Sequence, residues 1–153
     1  MFLKLAVRVM LLGGAVQAQA HADDGSALAF KTFGLEGVWS PDCRKPPSET
    51  NPRVVWRDPP DGPIFHGVTF DGVTWALTDT VSGAVILGDD LIRFSSVRNG
   101  KVFATATVKV VGDRIHTITS VGANGQIYVR DGVDGAGKPT LADERCDTPV
   151  PIS

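Results

Sequence analysis

Three histidines, two cysteines and seventeen carboxylates are the side chains of this 153-residue chain that could hold a metal or move a proton. His116 falls on the outer face of a strand pattern, opposite Lys109, and reads as a solvated surface histidine rather than a base. His66, in Ile64-Phe65-His66-Gly67, reads as a strand-surface residue; an enzyme would need it in a pocket with a carboxylate. His21 leaves with the leader described below. The acidic residues fall mostly in turns (Asp61, Asp71, Asp89, Asp90, Asp113, Asp131), where a short carboxylate bonds nearby backbone. Asp89-Asp90 and Asp131-Gly132-Val133-Asp134-Gly135 invite a calcium reading. Neither repeats oxygens at the alternate positions of a calcium loop. The chain has no Gly-x-Ser-x-Gly elbow, phosphate loop or His-Glu-x-x-His helix. These residues predict a non-enzymatic protein without metal or cofactor.

The first 22 residues read as an export leader. Lys4 and Arg8 flank an apolar run that is too short for the roughly 20 residues a bilayer requires, and small residues close it. Cleavage is expected after Ala22, alternatively after Ala20, leaving 23–153 as a single domain in the periplasm or outside the cell. In that oxidising setting Cys43 and Cys146 are expected to form a disulfide. The rival, a metal site with His66 and His116, lacks the local spacings of zinc sites. Loss of the leader reduces 15 basic residues to 13 against 17 acidic ones, a net charge of about −4. No basic patch supports nucleic acid or an anionic membrane as partner, and the mature chain has no second apolar segment to span one.

Seventeen glycines, ten prolines and little helical periodicity point to an all-β chain. Residues 26–33 read as an apolar lead-in with one helical turn. The stretch Leu35-Glu36-Gly37-Val38-Trp39-Ser40-Pro41-Asp42-Cys43 starts the first strand with an aromatic plug. A proline-rich ordered loop over 41–52 follows, carrying Cys43. Residues 53–56 form a short strand ended by Pro59-Pro60-Asp61-Gly62. Residues 64–70 and 73–77 flank Asp71-Gly72, a two-residue hairpin signal. From Leu87 the alternation fixes register. Val102, Ala104, Ala106, Val108 and Val110 share one face, and a Gly112-Asp113 turn sets Val110 against Ile115, Val108 against Thr117 and Ala106 against Thr119. A three-residue turn at Arg98-Asn99-Gly100 brings Ile92, Phe94 and Ser96 to that face; a two-residue turn would bury Arg93 there. The same turn at Ala123-Asn124-Gly125 puts Ile127 and Val129 inside. The meander covers 84–87, 91–97, 101–111, 114–121 and 126–130, with three or four strands before it. After Asp131-Gly132 the tail is expected to cross one end beside Trp39. The expected fold is an antiparallel up-and-down barrel of about eight strands, with a β-sandwich as the alternative.

With Gly37-Val38-Trp39 opening the first strand of a meander, the chain resembles the lipocalin-like (calycin) barrels. Its Trp39-to-Cys43 start, Asn124-Gly125-Gln126-Ile127-Tyr128 and closing Cys146 also look like a group of small exported bacterial proteins without a known activity. The Thr-Asp-Tyr signature of the lipocalins is absent, and the tail leaves little room for their C-terminal helix. The resemblance implies an arginine near the last strand packed over Trp39, a place for Arg130 or Arg114. A barrel lined by Ala84, Ala104, Ala106 and Thr119 has small side chains where larger ones could fill it, which leaves room for one small apolar or amphipathic ligand, with Trp39, Phe94, Ala104, Ala106 and Thr119 as the expected lining. The filled alternative has Phe94 and a tryptophan occupying that space. A different expectation is a protein-binding module, such as an inhibitor of an exported protease or lysozyme, presenting 41–63 or 135–144.

Overall fold

The computed structural model describes residues 24–60 and 62–147; the expected leader lies outside them. One helix, α1 (Asp24–Phe33), precedes ten strands: β1 (Gly37–Ser40), β2 (Arg53–Arg57), β3 (Ile64–Thr69), β4 (Leu77–Gly88), β5 (Leu91–Arg98), β6 (Lys101–Val111), β7 (Arg114–Gly122), β8 (Ile127–Arg130), β9 (Val133–Asp134) and β10 (Ala142–Cys146). Strands β1 to β9 pair antiparallel in chain order, and β10 pairs with both β1 and the first half of β7. That double pairing closes an eight-stranded barrel from β1–β7 and β10, so the fold is not a sandwich. The second half of β7 pairs with β8 instead, and the β8–β9 hairpin leaves the wall as a flap. The tail therefore does not cross a barrel end. Part of the segment expected as a presented loop, 142–144, lies in the closing strand.

The meander follows the expected strands with corrections that come from bulges. The β5–β6 turn has two residues, Asn99 and Gly100, at φ 52° and 71°, with Arg98 opposite Lys101. A register shift between Ser96 and Val97 then takes up one extra residue on β6 and restores Phe94 opposite Ala106. Arg93 thus stays opposite Thr107 and exposed. The bulge does the work assigned to a longer turn. The Gly112-Asp113 turn is as expected, with Gly112 alone at positive φ, 65°. Beyond it Val110 faces Ile115 and Val108 faces Thr117, but a shift between Thr107 and Val108 places Ala106 opposite Ser120 and Thr119 opposite Thr107. Thr119 is therefore off the interior face. A further shift sets Ile127 opposite Val121, where both are exposed, so Ile127 is not inside. Of the expected strand 73–77, only Leu77 is extended, as the first residue of β4; 73–76 are not a strand. Asp71 accepts from the backbone N–H groups of Val73 and Thr74 and from the Thr69 hydroxyl, which folds them into a longer turn.

The interior core consists of Trp39, Trp56, Ile64, Val81, Ala84, Ile92, Phe94, Val108 and Ile115 from the wall and of Phe30 and Leu35 from α1 and its exit. α1 is a full helix rather than one turn. It closes the barrel end that carries the Asp89-Asp90 turn, where its Thr32 and Phe33 meet Ile86, Asp90 and Val110. Its C-terminus is a Schellman cap: Leu35 N–H donates to Phe30 O, Gly34 N–H to Lys31 O, and Gly34 takes φ 76°. Ser26, 2% exposed, accepts from Ala84 N–H at 2.9 Å and so fixes the other end to β4. Phe30 lies edge-on to Phe94 at 5.1 Å and to Trp56 at 6.3 Å. The expected plug, Trp39, is one part of this closure, donating Nε1–H to Leu35 O at 2.8 Å.

A second, smaller cluster lies on the outer face of β1–β3. Val38, Val55 and Cys146 are buried there with Cys43 and Trp75 packed against them. Cys43 and Cys146 are bonded, with Cα atoms 5.4 Å apart. Trp75 lies over Gly67 so closely that a Cβ there would come within 2.5 Å of its ring. The 41–52 loop is ordered, as expected, by buried polar groups. The Arg53 guanidinium donates to Ser40 Oγ and to the carbonyls of Cys43 and Lys45, while Asn51 Nδ2 donates to Asp42 O and Pro46 O.

Candidate functional site

Two features of the interior face depart from a filled apolar core. The first is its wall along β5, β6 and β7. Cross-strand register makes two rows there, Ser96–Ala104–Gly122 and Phe94–Ala106–Ser120. Apart from Phe94, every side chain in these rows is small, and Ser96, Ala106 and Ser120 are only half-buried. Eight-stranded barrels have interiors that bulky side chains just fill or that one small molecule occupies. Phe94 itself is committed to Phe30 and Trp56, so the aromatic filling occupies the side of β2, β5 and α1. Of the expected lining, Phe94 and Trp39 are packed core, Ala104 and Ala106 form the small wall, and Thr119 is displaced to Ser120 by the bulge.

The second feature is a polar cluster on neighbouring strands. His66 on β3 is opposite Trp56 on β2 and Asp79 on β4. The Trp56 and His66 rings stack at 5.5 Å. His66 Nδ1 stands 3.6 Å from Asp79 Oδ2, too far for a hydrogen bond but close enough for charge to be felt, and Arg98 Nε donates to Asp79 Oδ1 at 2.8 Å. Burial by itself would raise the Asp79 carboxyl; the neighbouring His66 and Arg98 outweigh it and hold the group below the ordinary carboxylate range. Trp56 Nε1, His66 Nδ1 and Arg98 Nη2 are buried with no hydrogen-bond partner among the described residues. An unmet buried group costs about 1–3 kcal/mol, and two of the three, the Trp56 indole N–H and Arg98 Nη2, can only donate. A groove of about 680 Å³, lined by Phe65, Leu77, Asp79, Val97, Arg98 and Gly100, opens onto Asp79.

His66 thus faces inward beside a carboxylate, against the expectation of a strand-surface residue. Alternation could not choose its face, because β2 and β3 are covered on both sides, by the interior core and by the cluster under the disulfide. Among the described residues His66 bonds no hydroxyl or thiol. His116 lies opposite Lys109 as expected.

The arginine over Trp39 is neither Arg130 nor Arg114 but Arg145. Its guanidinium carbon lies 5.1 Å from the ring centroid, and Nη2 donates to the carbonyls of Gly34 and Glu36. It stands on β10, opposite Trp39, in a strand that carries no sequence signal. Arg114 instead ties the seam where β7, β10 and β1 meet, bonding Ala142 O, Pro41 O and Glu144 Oε2.

A last interior group is Asp143, opposite Ile115 on β10. Burial pushes its carboxyl from the ordinary 3.8 up to about 6, against the pull of Arg114, and Oδ1 has no partner among the described residues. The native state therefore holds this proton more tightly than the unfolded chain. Its contribution is greatest below about pH 4, falls as pH rises to about 6 by about 2–3 kcal/mol, and is flat above. Asp143→Asn should remove that slope and leave the protein more stable at pH 7.5. Urea unfolding of both proteins at pH 4.5 and 7.5 tests this, and parallel pH dependence in the two would refute it.

The fold is a closed eight-stranded antiparallel barrel with a helix across one end and a disulfide joining the loop after its first strand to its last. No protein-family model, curated protein or solved structure matches the chain. Its function is therefore argued from its own residues.

Proposed function

We propose that the protein is an exported, non-enzymatic carrier that holds one small amphipathic molecule inside a lipocalin-like barrel. The observation that carries this reading is the wall of Ser96, Ala104, Ala106 and Ser120, four small side chains in adjacent cross-strand rows, three of them still partly accessible. The lipocalin-like character is supported by Trp39 opening the first strand and Arg145 of the last strand lying over its ring. Export is supported by the leader-like first 22 residues and by the disulfide, a bond of oxidising compartments. No described helix is long and apolar enough to cross a membrane.

Protein recovered from a periplasm without detergent should carry, in native mass spectrometry, a reproducible adduct that leaves on denaturation. Ala106→Phe places an aromatic ring in the middle of the small wall. The adduct should disappear while cooperative unfolding persists, with an overpacking cost of about 1–3 kcal/mol. Retention of the adduct by a folded Ala106→Phe protein would place the ligand elsewhere and end the reading.

A further inference from the structure

We propose that Tyr128 is the latch of a lid, the β8–β9 flap, which closes the barrel end opposite α1 and lifts to let the carried molecule pass. The inference deepens the carrier reading above and rests on it. Gly122 ends the small row Ser96–Ala104–Gly122, and residues paired across strands share a face, so a side chain at Gly122 would point inward. That space is already taken. A Cβ there would meet Cε2 of Tyr128 at 3.1 Å, its hydroxyl oxygen at 3.2 Å and Asn124 Oδ1 at 2.7 Å. The Tyr128 ring thus reaches from the flap over the end of the small wall. It stacks on Phe103 at 6.0 Å, and the Arg98 guanidinium lies 4.3 Å from the centre of the Phe103 ring. Phe103 is the extra residue of the β6 bulge, unpaired between Val102 and Ala104, and a bulge re-aims a side chain in this way. Arg98 is in turn bound to Asp79. These four side chains form a continuous bar from β4 to β8, beside the Asn99-Gly100 turn. The flap behind the bar is loosely held. No residue from 123 to 141 is buried, and β8 meets β7 at two register positions with a shift between them. Segments with so few buried contacts open at the lowest free energy. α1 blocks the other end with Phe30 and Leu35 in the core, which leaves this end for entry.

Stopped-flow uptake of anilinonaphthalene sulfonate by the full mature protein tests the lid. The observed rate should level off as dye is raised, because opening limits entry. Phe103→Leu removes the stacking partner of Tyr128 and should raise association and dissociation rates together by about 2- to 10-fold, the scale of one aromatic pair. The dissociation constant should stay within about 2-fold, since a latch controls passage and not the bound state. Tyr128→Ala should do the same or more. A ring that only lined the interior would change the dissociation constant; that result, like unchanged rates, overturns the lid and leaves the carrier intact. A second readout needs no ligand. Tyr128 is the only tyrosine of the chain, so protein made with fluorotyrosine gives one fluorine resonance. Gly122→Ala forces the ring off the wall and should move that resonance toward its position in the unfolded chain. An unmoved resonance overturns the latch. Failure of wild type to take up dye, or uptake that Ala106→Phe leaves unchanged, overturns the carrier reading, and the fluorine result then decides the latch by itself.

Discussion

Replacing Cys43 and Cys146 together by alanine should lower the free energy of unfolding by roughly 4–5 kcal/mol, the loop-closure entropy released when a crosslink across about a hundred residues is cut. Domains of this size have about 5–15 kcal/mol in all, so the loss would be a large part of the total. The folded state keeps its own reasons to close. β10 remains hydrogen-bonded to β1 and β7, Arg114 bridges to Glu144, and Cys43 N–H donates to Glu144 Oε1 at 2.8 Å. The variant should therefore fold to the same barrel with a lower denaturant midpoint and little change in slope. A loss below about 1 kcal/mol would mean that the unfolded chain is already held compact without the bond.

Phe30→Ala should cost about 3–5 kcal/mol, the range for truncating a fully buried aromatic. Phe30 is 1% exposed and supplies the third ring of the set completed by Trp56 and Phe94. Its side chain shares the core cluster with Leu35 across the Schellman cap, so truncation removes packing at the chain's entry into β1 while the cap's backbone hydrogen bonds remain. Chemical denaturation would show the loss. A cost near 1 kcal/mol would show that α1 is a lid laid over the barrel rather than part of its core.

Much of the wall was legible because one face of β5–β7 is covered and the other is wet. Alternation there chose Ile92, Phe94, Ala104, Ala106, Val108 and Ile115 for the interior, and all of them are on it, but Val102, chosen with them, is set opposite Val97 by the Ser96–Val97 shift and is exposed. The disulfide was legible from two cysteines behind a leader-like first 22 residues. The failures have separate physical causes. Thr119 and Ile127 were misplaced by bulges, which shift register without a mark in the hydrophobic pattern. The turn at Asn99-Gly100 was misjudged for the same reason in reverse, since a bulge compensated it. His66 was misplaced because both faces of β2 and β3 are buried, one under Trp75 and the disulfide. Strand β10, Ala-Asp-Glu-Arg-Cys, has no β-branched residue and is extended only because β1 and β7 offer it edges. With it went Arg145 and Asp143. The cluster of Trp56, His66, Asp79 and Arg98 was illegible as a set, since these residues meet only through strand pairing.

The strand that closes the barrel is also the last part of the described chain to be made. Val38 pairs with Cys146, so the edge of β1 has no neighbour on one side until the chain has been made as far as β10. The β4–β7 hairpins can form from local contacts as they emerge, but the wall cannot. A chain made N-terminus first must wait with two open edges, at β1 and at the start of β7, each able to pair with another chain. Oxidation of the two sulfurs comes after that wait. Contacts this distant in sequence form slowly, so the two edges are the last part of the wall to be covered.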